Sequence, residues 1–393
     1  MAGETMPGAT RDPEWSLLLA ACSLSCSPIP SPDRIDRIHS LLRNPIRWNV
    51  LFQLADQHGV EPPLYQALQH LNDSIPPEEM QTLRQTYQTN LHKALLLSRE
   101  LIRILECLAA RGVEVMPYKG LALAELLYGD IALRQSGDID LLIRPQDLPP
   151  IRDAIRELGY RPHVSFSAAE ERAYLKSGYE YAFDGTAGPN LLELQWAIQP
   201  RFYAIDFDME GLFTRAVTVS VAGRLAKTPC LEDLLLLLSA HAAKHLWGRL
   251  VWLCDIAQIV KVPSLNWDRI WQEATRLGMS RILQVTLLAA DSLLGATIPV
   301  SARAHLTDEL ASRLADDVQT QIAGEAAYNV ESLSYFRLMM RLRERPADRL
   351  RFLSRLILTP GPGEWQAVRL PRPLFPLYRL VRFSRLAARL VRA

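Results

Sequence analysis

The chain has 393 residues, of which 49% are hydrophobic and 22% charged, and its formal net charge is +1. A near-neutral total excludes a global electrostatic footprint for nucleic acid. No apolar run approaches the roughly 18 residues that a transmembrane helix needs, so no integral membrane association is expected. Five cysteines (Cys22, Cys26, Cys107, Cys230 and Cys254) are odd in number and scattered without metal-like clustering, so the expected setting is reduced and cytoplasmic.

Residues 1–13 are polar and are expected to be disordered. Residues 15–26 are apolar, and Leu19-Ala20-Ala21-Cys22 has the form of a bacterial lipidation site. Its flank sets Glu4, Asp12 and Glu14 against a lone Arg11. That lacks the basic region a signal requires, and the segment reads as a core helix. Helices follow over 33–42, 49–58, 63–71 and 77–110. Ser31-Pro32-Asp33 and Ile75-Pro76-Pro77 supply start signals. In the last helix Leu97, Leu101, Ile104, Leu105 and Leu108 recur at three and four spacing. Residues 1–110 thus form an N-terminal helical segment. His58, His70 and His92 lie on these helices and receive no role.

The next stretch organises the chain. Residues 113–118 are a short apolar run before a glycine, which fits a buried strand. Lys119-Gly120 is a turn, 121–128 has helical apolar spacing, and Gly129-Asp130 stops it. Residues 138–143 then alternate, with Asp138 and Asp140 on one face and Ile139, Leu141 and Ile143 on the other. Two parallel carboxylates a few ångströms apart repel unless a cation sits between them. Mg²⁺ takes hard oxygen ligands and commonly uses one or two carboxylates plus substrate phosphates. Two such ions about 3.5–4 Å apart clamp the attacking and leaving oxygens of phosphoryl transfer. A solvated strand end also carries Asp-x-Asp. The ordered context of strand, glycine turn, helix, Arg134-Gln135-Ser136-Gly137 and then the acids favours metal-assisted chemistry on a nucleotide.

This stretch resembles the core motif of the nucleotidyltransferase superfamily, which has a polymerase-beta-like fold. In detail (YKGLAL, then LYGD, then R-x-S-x-DIDLL) it resembles a bacterial family of uncharacterised nucleotidyltransferases. More distantly it is similar to the nucleotidyltransferase toxins of abortive-infection systems. The similarity runs from about Trp48 to the C-terminus. It implies Mg²⁺-dependent transfer of a nucleoside monophosphate from a nucleoside triphosphate (NTP) to a hydroxyl or phosphate acceptor, releasing pyrophosphate. Two Mg²⁺ ions would be held by Asp138, Asp140 and a third carboxylate. The usual superfamily turn is Gly-Gly or Gly-Ser, whereas this chain has Lys119-Gly120-Leu121. The missing hydroxyl's contact with phosphate passes to Lys119, a backbone N–H at the Gly120 turn, or Ser136, with Arg134 in the same nucleotide-binding set.

Pro145 and the Asp147 cap open a helix over 148–158, which Gly159 ends. A strand is possible over 160–166, and a short helix covers 168–176. Two β-prone runs, 179–183 and 190–196, are joined by turn-rich residues 184–189, which argues a hairpin. On the second run Leu192, Leu194 and Trp196 share one face, and Leu191, Glu193 and Gln195 the other. Glu193 falls where superfamily topology places its third carboxylate. The resemblance gives it the task of completing the metal site and helping to deprotonate the acceptor; an edge-strand glutamate facing water is the alternative. The family's acid-x-His-Trp pattern is broken by Gln195. With a further strand over 217–221, residues 111–225 make the nucleotidyltransferase core.

Leu231-Glu232-Asp233 begins a leucine-rich helix that runs to Trp247 and carries His241, Lys244 and His245 on one face. A histidine pair so spaced can bind zinc, although only Cys254 and Asp255 offer further ligands nearby. Lys244 makes the face basic, which suits triphosphate. It also resembles the phosphate-contacting lysine that nucleotidyltransferases carry in the helical domain after the sheet. A polar stripe in solvent is the alternative. Helices continue over 251–260, 267–277, 281–294, 302–327, 331–345 and 347–358, before a break at 360–362. Residues 226–393 are therefore an all-helical C-terminal domain.

The tail has Arg369, Arg372, Arg379, Arg382, Arg385, Arg389 and Arg392 with no acid after Val368. Residues 378–391 read as a basic helix with Leu380, Phe383, Leu386 and Leu390 as its apolar positions. It could lie on an anionic membrane, grip RNA or hold an acidic peptide. The expectation is docking on the body, with leucines and Phe383 buried and arginines in solvent.

The expected class is α+β: a small mixed β-sheet nucleotidyltransferase core flanked by N-terminal helices and an all-helical C-terminal domain. Walker, dinucleotide-binding, Gly-x-Ser-x-Gly and Cys-x-x-Cys motifs are absent from the sequence. Two other readings stay open: a catalytically inactive nucleotide-binding scaffold, and a toxin modifying transfer RNA. The acceptor could be a small molecule, a peptide or RNA.

Overall fold

The structure, a computed structural model, describes residues 12–26, 32–71, 74–164, 166–185, 191–324, 332–360, 364, 367, 368 and 370–392. Residues 1–11, most of the 184–189 connection, the end of the 302–327 helix and positions 361–362 lie outside the described residues. The chain is 65% helical with one small mixed sheet, the α+β class expected.

Five helices come first: α1 (Pro13–Ser25), α2 (Pro32–Leu42), α3 (Trp48–His58), α4 (Glu61–Leu68) and α5 (Pro77–Ala109). α1 is apolar around its whole circumference and is accordingly enclosed, with Trp15 and Leu17 to Cys22 all buried. Its one acid, Glu14, is also buried. Hydrogen bonds from the Arg47 side chain lead the effects that hold its carboxyl down at about 2. α5 joins two interiors. Met80 and Leu83 belong to the core of the N- and C-terminal helices. Leu97, Leu101, Ile104 and Leu108 lie under the sheet.

The main sheet has the order β1-β2-β5-β4-β3, from Met116–Pro117, Asp138–Leu142, Leu191–Gln195, Glu180–Asp184 and Arg161–Pro162 respectively. Only β2 and β5 run parallel. The hairpin expected from 179–196 is present as β4–β5, while the strand expected over 160–166 shrinks to the two residues of β3. One sheet face is dry. Ile139, Leu141, Leu192 and Leu194 pack with α5 and with Ile151 and Ile155 of α7 (Leu148–Glu157). Each such side chain contributes about 1.5–3 kcal/mol by leaving water. The opposite face carries the acids.

β6 (Val217–Val221) and β7 (Arg224–Thr228) form a separate hairpin. Its turn, Ala222-Gly223, has φ of 48° and 83°, the paired left-handed geometry of a two-residue hairpin. β7 had no clear sequence signal, because Arg224 and Lys227 interrupt its apolar pattern.

The C-terminal helices include α10 (Leu231–Lys244), α11 (Leu250–Val260), α12 (Trp267–Leu277), α13 (Ser280–Leu294), α15 (Glu309–Ile322), α16 (Leu333–Arg341) and α17 (Pro346–Leu358). α1, α3 and α4 share their core, with α1 packed on α13. Among the described residues no helix is long and apolar enough to cross a membrane.

The C-terminal helix, Tyr378–Arg392, corrects an expectation. It buries Tyr378 and Arg382 and leaves Leu380 and Phe383 65% and 58% exposed. The cause is Glu364, which is buried and ion-paired with both Arg382 and Arg385. An uncompensated buried carboxylate would be costly, so the arginine face turns inward.

Candidate active site

The glycine turn places the first cation. Lys119 precedes α6 (Gly120–Leu123) in extended backbone, and Gly120 follows with φ of 51°. A Cβ at Gly120 would sit 3.3 Å from the Asp138 carbonyl oxygen, so only glycine lets this turn lie against β2. The chain returns through Asp130, whose side chain accepts from the Ala132 N–H at 2.8 Å and caps a short 3₁₀ turn. It then enters β2.

β2 and β5 pair in register, with Asp140 opposite Glu193 and Leu142 opposite Gln195. Parallel neighbours in register point to the same side, so Asp138, Asp140, Glu193 and Gln195 occupy one face. The Lys119 ammonium is 2.9 Å from Asp140 Oδ1. Gln195 Nε2 donates to Asp140 Oδ1 at 3.0 Å and to Glu193 Oε2 at 2.7 Å. The Tyr118 hydroxyl donates to Gln195 Oε1, which fixes the orientation of that amide. The Asp138 carboxylate, unlike that of Asp140, has no hydrogen bond or ion pair to another side chain among the described residues.

The electrostatics follow from burial. Desolvation, then the Asp140 charge, pushes the Asp138 carboxyl up to about 6. Desolvation, then Asp140 and Glu180, pushes Glu193 to about 8. Burial works against the Lys119 ammonium, but Asp140 and Tyr118 together outweigh it and hold the group charged. Two carboxyls held up by burial and by a neighbouring carboxylate, facing one cavity, are the pattern of a functional site.

The cavity has a volume of about 550 Å³. All ten residues singled out from the sequence line it: Lys119, Gly120, Arg134, Ser136, Asp138, Asp140, Glu193, His241, Lys244 and His245. Lys244 reaches across from the end of α10, 3.1 Å from the Tyr179 hydroxyl and 4.7 Å over its ring. Burial lowers its pKa. The turn after α10 is held by Leu246 and Trp247 at φ of 57° and 51°, rare for such residues. Trp247 Nε1 anchors it to Thr286 Oγ1 at 2.9 Å. The His241 and His245 rings are 4.8 Å apart and both lie against Trp252. Burial depresses both, His245 to about 3 and His241 well below its usual value, so each is neutral at pH 7. The Ser136 hydroxyl is buried with no hydrogen-bond partner among the described residues.

Arg134 lines the cavity, yet its guanidinium is spent elsewhere. Nε and Nη2 clasp the wholly buried Asp255 at 2.8–3.1 Å, and the Tyr128 hydroxyl adds a bond of 3.0 Å. The pair ties the acidic strand's approach to α11. Sequence reasoning gave no site role to Lys93, Tyr179, Glu180, Arg249 and Trp252, which also line the cavity. Lys93 is the single lysine of the long α5, where an isolated basic residue on a helix carries no local signal.

The donor set has the chemistry of a hard divalent cation: carboxylate oxygens from Asp138, Asp140 and Glu193 on one sheet face. Among the described residues no three His, Cys, Asp or Glu side chains converge on one point as ligands do. Lys119 and Gln195 take the inward oxygens of Asp140 and Glu193 instead.

A mixed sheet with a glycine turn before it, two strand acids and a third in register define a nucleotidyltransferase-like protein. The chain belongs to the family of uncharacterised nucleotidyltransferases, which residues 44–295 match. Among solved structures it is similar to an antigenic nucleotidyltransferase-like protein from Paracoccidioides brasiliensis, at 18% identity and a TM-score of 0.32, over 55% of this chain and 96% of that one. No curated protein matches the chain.

Proposed function

We propose that the protein transfers a nucleoside monophosphate from an NTP to an acceptor hydroxyl or phosphate, with Mg²⁺ held by Asp138, Asp140 and Glu193. The observation that carries this reading is the register of Asp140 against Glu193, with Asp138 two residues earlier, on the floor of a cavity rimmed by Lys93, Lys119, Lys244 and Arg249. When bound, the metal would neutralise phosphate charge and lower the pKa of the acceptor oxygen.

The chain's own residues supply the rest. Lys119 leaves Asp140 for the phosphates, and Gln195 releases the carboxylates. Lys244 and the Ser136 hydroxyl hold the triphosphate tail, while Tyr179 steers Lys244. The acceptor oxygen forms a bond to the α-phosphorus as the bond to the β-phosphate oxygen breaks. Its proton passes to Glu193 and then to water, and pyrophosphate departs.

A second reading has its own observation. With the Lys119 ammonium on Asp140, the site is already neutralised, as a nucleotide-binding scaffold without catalysis would have it. Incubation with α-labelled NTP, Mg²⁺ and cell lysate separates the two. Catalysis leaves label on RNA, on a peptide or on a small molecule, and so names the acceptor, RNA being the outcome for a toxin. No transfer overturns the enzyme reading, and transfer from γ-labelled NTP alone would make the protein a kinase.

A further inference from the structure

The C-terminal layer presents an apolar face to water. Of the fourteen exposed large apolar side chains among the described residues, nine fall between 350 and 383. Six lie on α17 and the C-terminal helix, which pack against each other, Leu374 and Leu377 on the 3₁₀ segment Arg372–Leu377 that leads into the latter, and Val368 ahead of that segment. Arg382 Nε locks the layer by donating to the Leu356 carbonyl at 3.0 Å. On α17, Leu350 and Leu353 are exposed at i and i+3; on the C-terminal helix Leu380 and Phe383 are exposed at the same spacing, which Leu377, at the end of the preceding 3₁₀ segment, continues. Each helix therefore shows solvent one continuous apolar side.

The charge around this face has one sign. Residues 346–393 hold ten arginines and no lysine, against two acids, Asp348 and Glu364. Asp348 is buried against Arg345 and Arg351, Glu364 is buried against Arg382 and Arg385, and Asp206 pairs with Arg355, so these acids offset part of the charge and leave the segment with a basic excess. Arg379 is exposed beside the apolar positions, and Arg351 is half-exposed while paired with Asp348. The whole chain has a net charge of +1, so the basic excess is local to this layer.

We propose that this face docks on an anionic lipid surface, with Leu350, Leu353, Leu377, Leu380 and Phe383 entering the headgroup region and the arginines meeting lipid phosphates. Apolar side chains inside a basic rim are what interfacial binding needs: area to bury, and attraction of about 1 kcal/mol per arginine near an anionic surface. A second copy of the chain fits less well, because self-pairing would set arginine against arginine with no free acid. RNA would meet the arginines but leave the leucines in water. The inference is independent of the catalytic site.

The test is sedimentation of the full chain with vesicles of phosphatidylcholine, and with vesicles in which about a quarter of the lipid is phosphatidylglycerol. The expected result is at least about tenfold more binding to the anionic vesicles, reduced several-fold between about 0.05 and 0.5 M salt. Leu380→Gln with Phe383→Gln should lose about tenfold in binding and keep the wild-type circular dichroism and melting temperature, since both side chains are exposed. Equal binding to neutral vesicles, or an unaffected double variant, would overturn the proposal. So would a dimer in light scattering that the double variant dissolves, or binding of single-stranded RNA without binding of vesicles.

Discussion

The Lys119 ammonium lies 2.9 Å from Asp140, on the carboxylate that stands in register with Glu193. The carboxylate of the neighbouring Asp138 has no such partner among the described residues. Two acids that look equivalent as Asp-x-Asp therefore have different energetics, and substitution should separate them.

Asp138→Asn and Asp140→Asn should each lower turnover by at least roughly a hundredfold, the loss of about 3–4 kcal/mol of electrostatic stabilisation. In metal-free melts they should diverge. Asp138→Asn removes a repelling charge and should leave the melting temperature unchanged or raise it. Asp140→Asn strands a buried ammonium and should cost about 3 kcal/mol. Equal behaviour of the two in differential scanning calorimetry would contradict the observed pairing.

Glu193 predicts a pH dependence. Its folded pKa of about 8 lies above its ordinary 4.5, so the folded state binds the extra proton. Its contribution to stability is full below about 4.5 and is lost as pH rises through about 8. Glutamine does not titrate. The melting temperature of Glu193→Gln minus that of wild type, both in chelator, should grow from pH 5 to pH 8.5. A difference that stays flat or shrinks would rule out a carboxyl held up by burial.

Arg134 and Asp255 are both buried and bond through two guanidinium nitrogens. Arg134→Met alone should destabilise by about 3–5 kcal/mol, because it leaves a buried carboxylate unpaired. Arg134→Met with Asp255→Leu should recover much of that loss. Chemical denaturation of the two variants measures it, and additive losses would argue that the pair is not a unit.

Among the described residues the Lys244 ammonium makes no ion pair and has one hydrogen bond, to the Tyr179 hydroxyl at 3.1 Å. Lys244→Met should weaken triphosphate binding by roughly ten- to a hundredfold, the worth of one charge-assisted hydrogen bond of about 1.5–3 kcal/mol. Burial lowers its pKa, so the folded chain gives up stability to keep it charged, and stability should hold or rise. Titration calorimetry with a non-hydrolysable nucleotide gives the first quantity, and a thermal melt the second.

The local chemistry was legible in the sequence because it is carried by short-range periodicity. Alternation in residues 138–143 sets the acids on one face, and alternation in 191–196 does the same for Glu193. Spacing of three and four puts His241, Lys244 and His245 on one side of α10. These patterns decide which way side chains point whatever the rest of the chain does. What periodicity cannot give is the partner across space. The Arg134–Asp255 clasp joins residues 121 positions apart, and Lys119 meets Asp140 only because Gly120 lets the turn lie on β2. The C-terminal helix shows the same limit in reverse. Its amphipathic pattern was plain, but which side faced inward was settled by a single buried carboxylate, Glu364, which drew Arg382 and Arg385 in and left Leu380 and Phe383 in water.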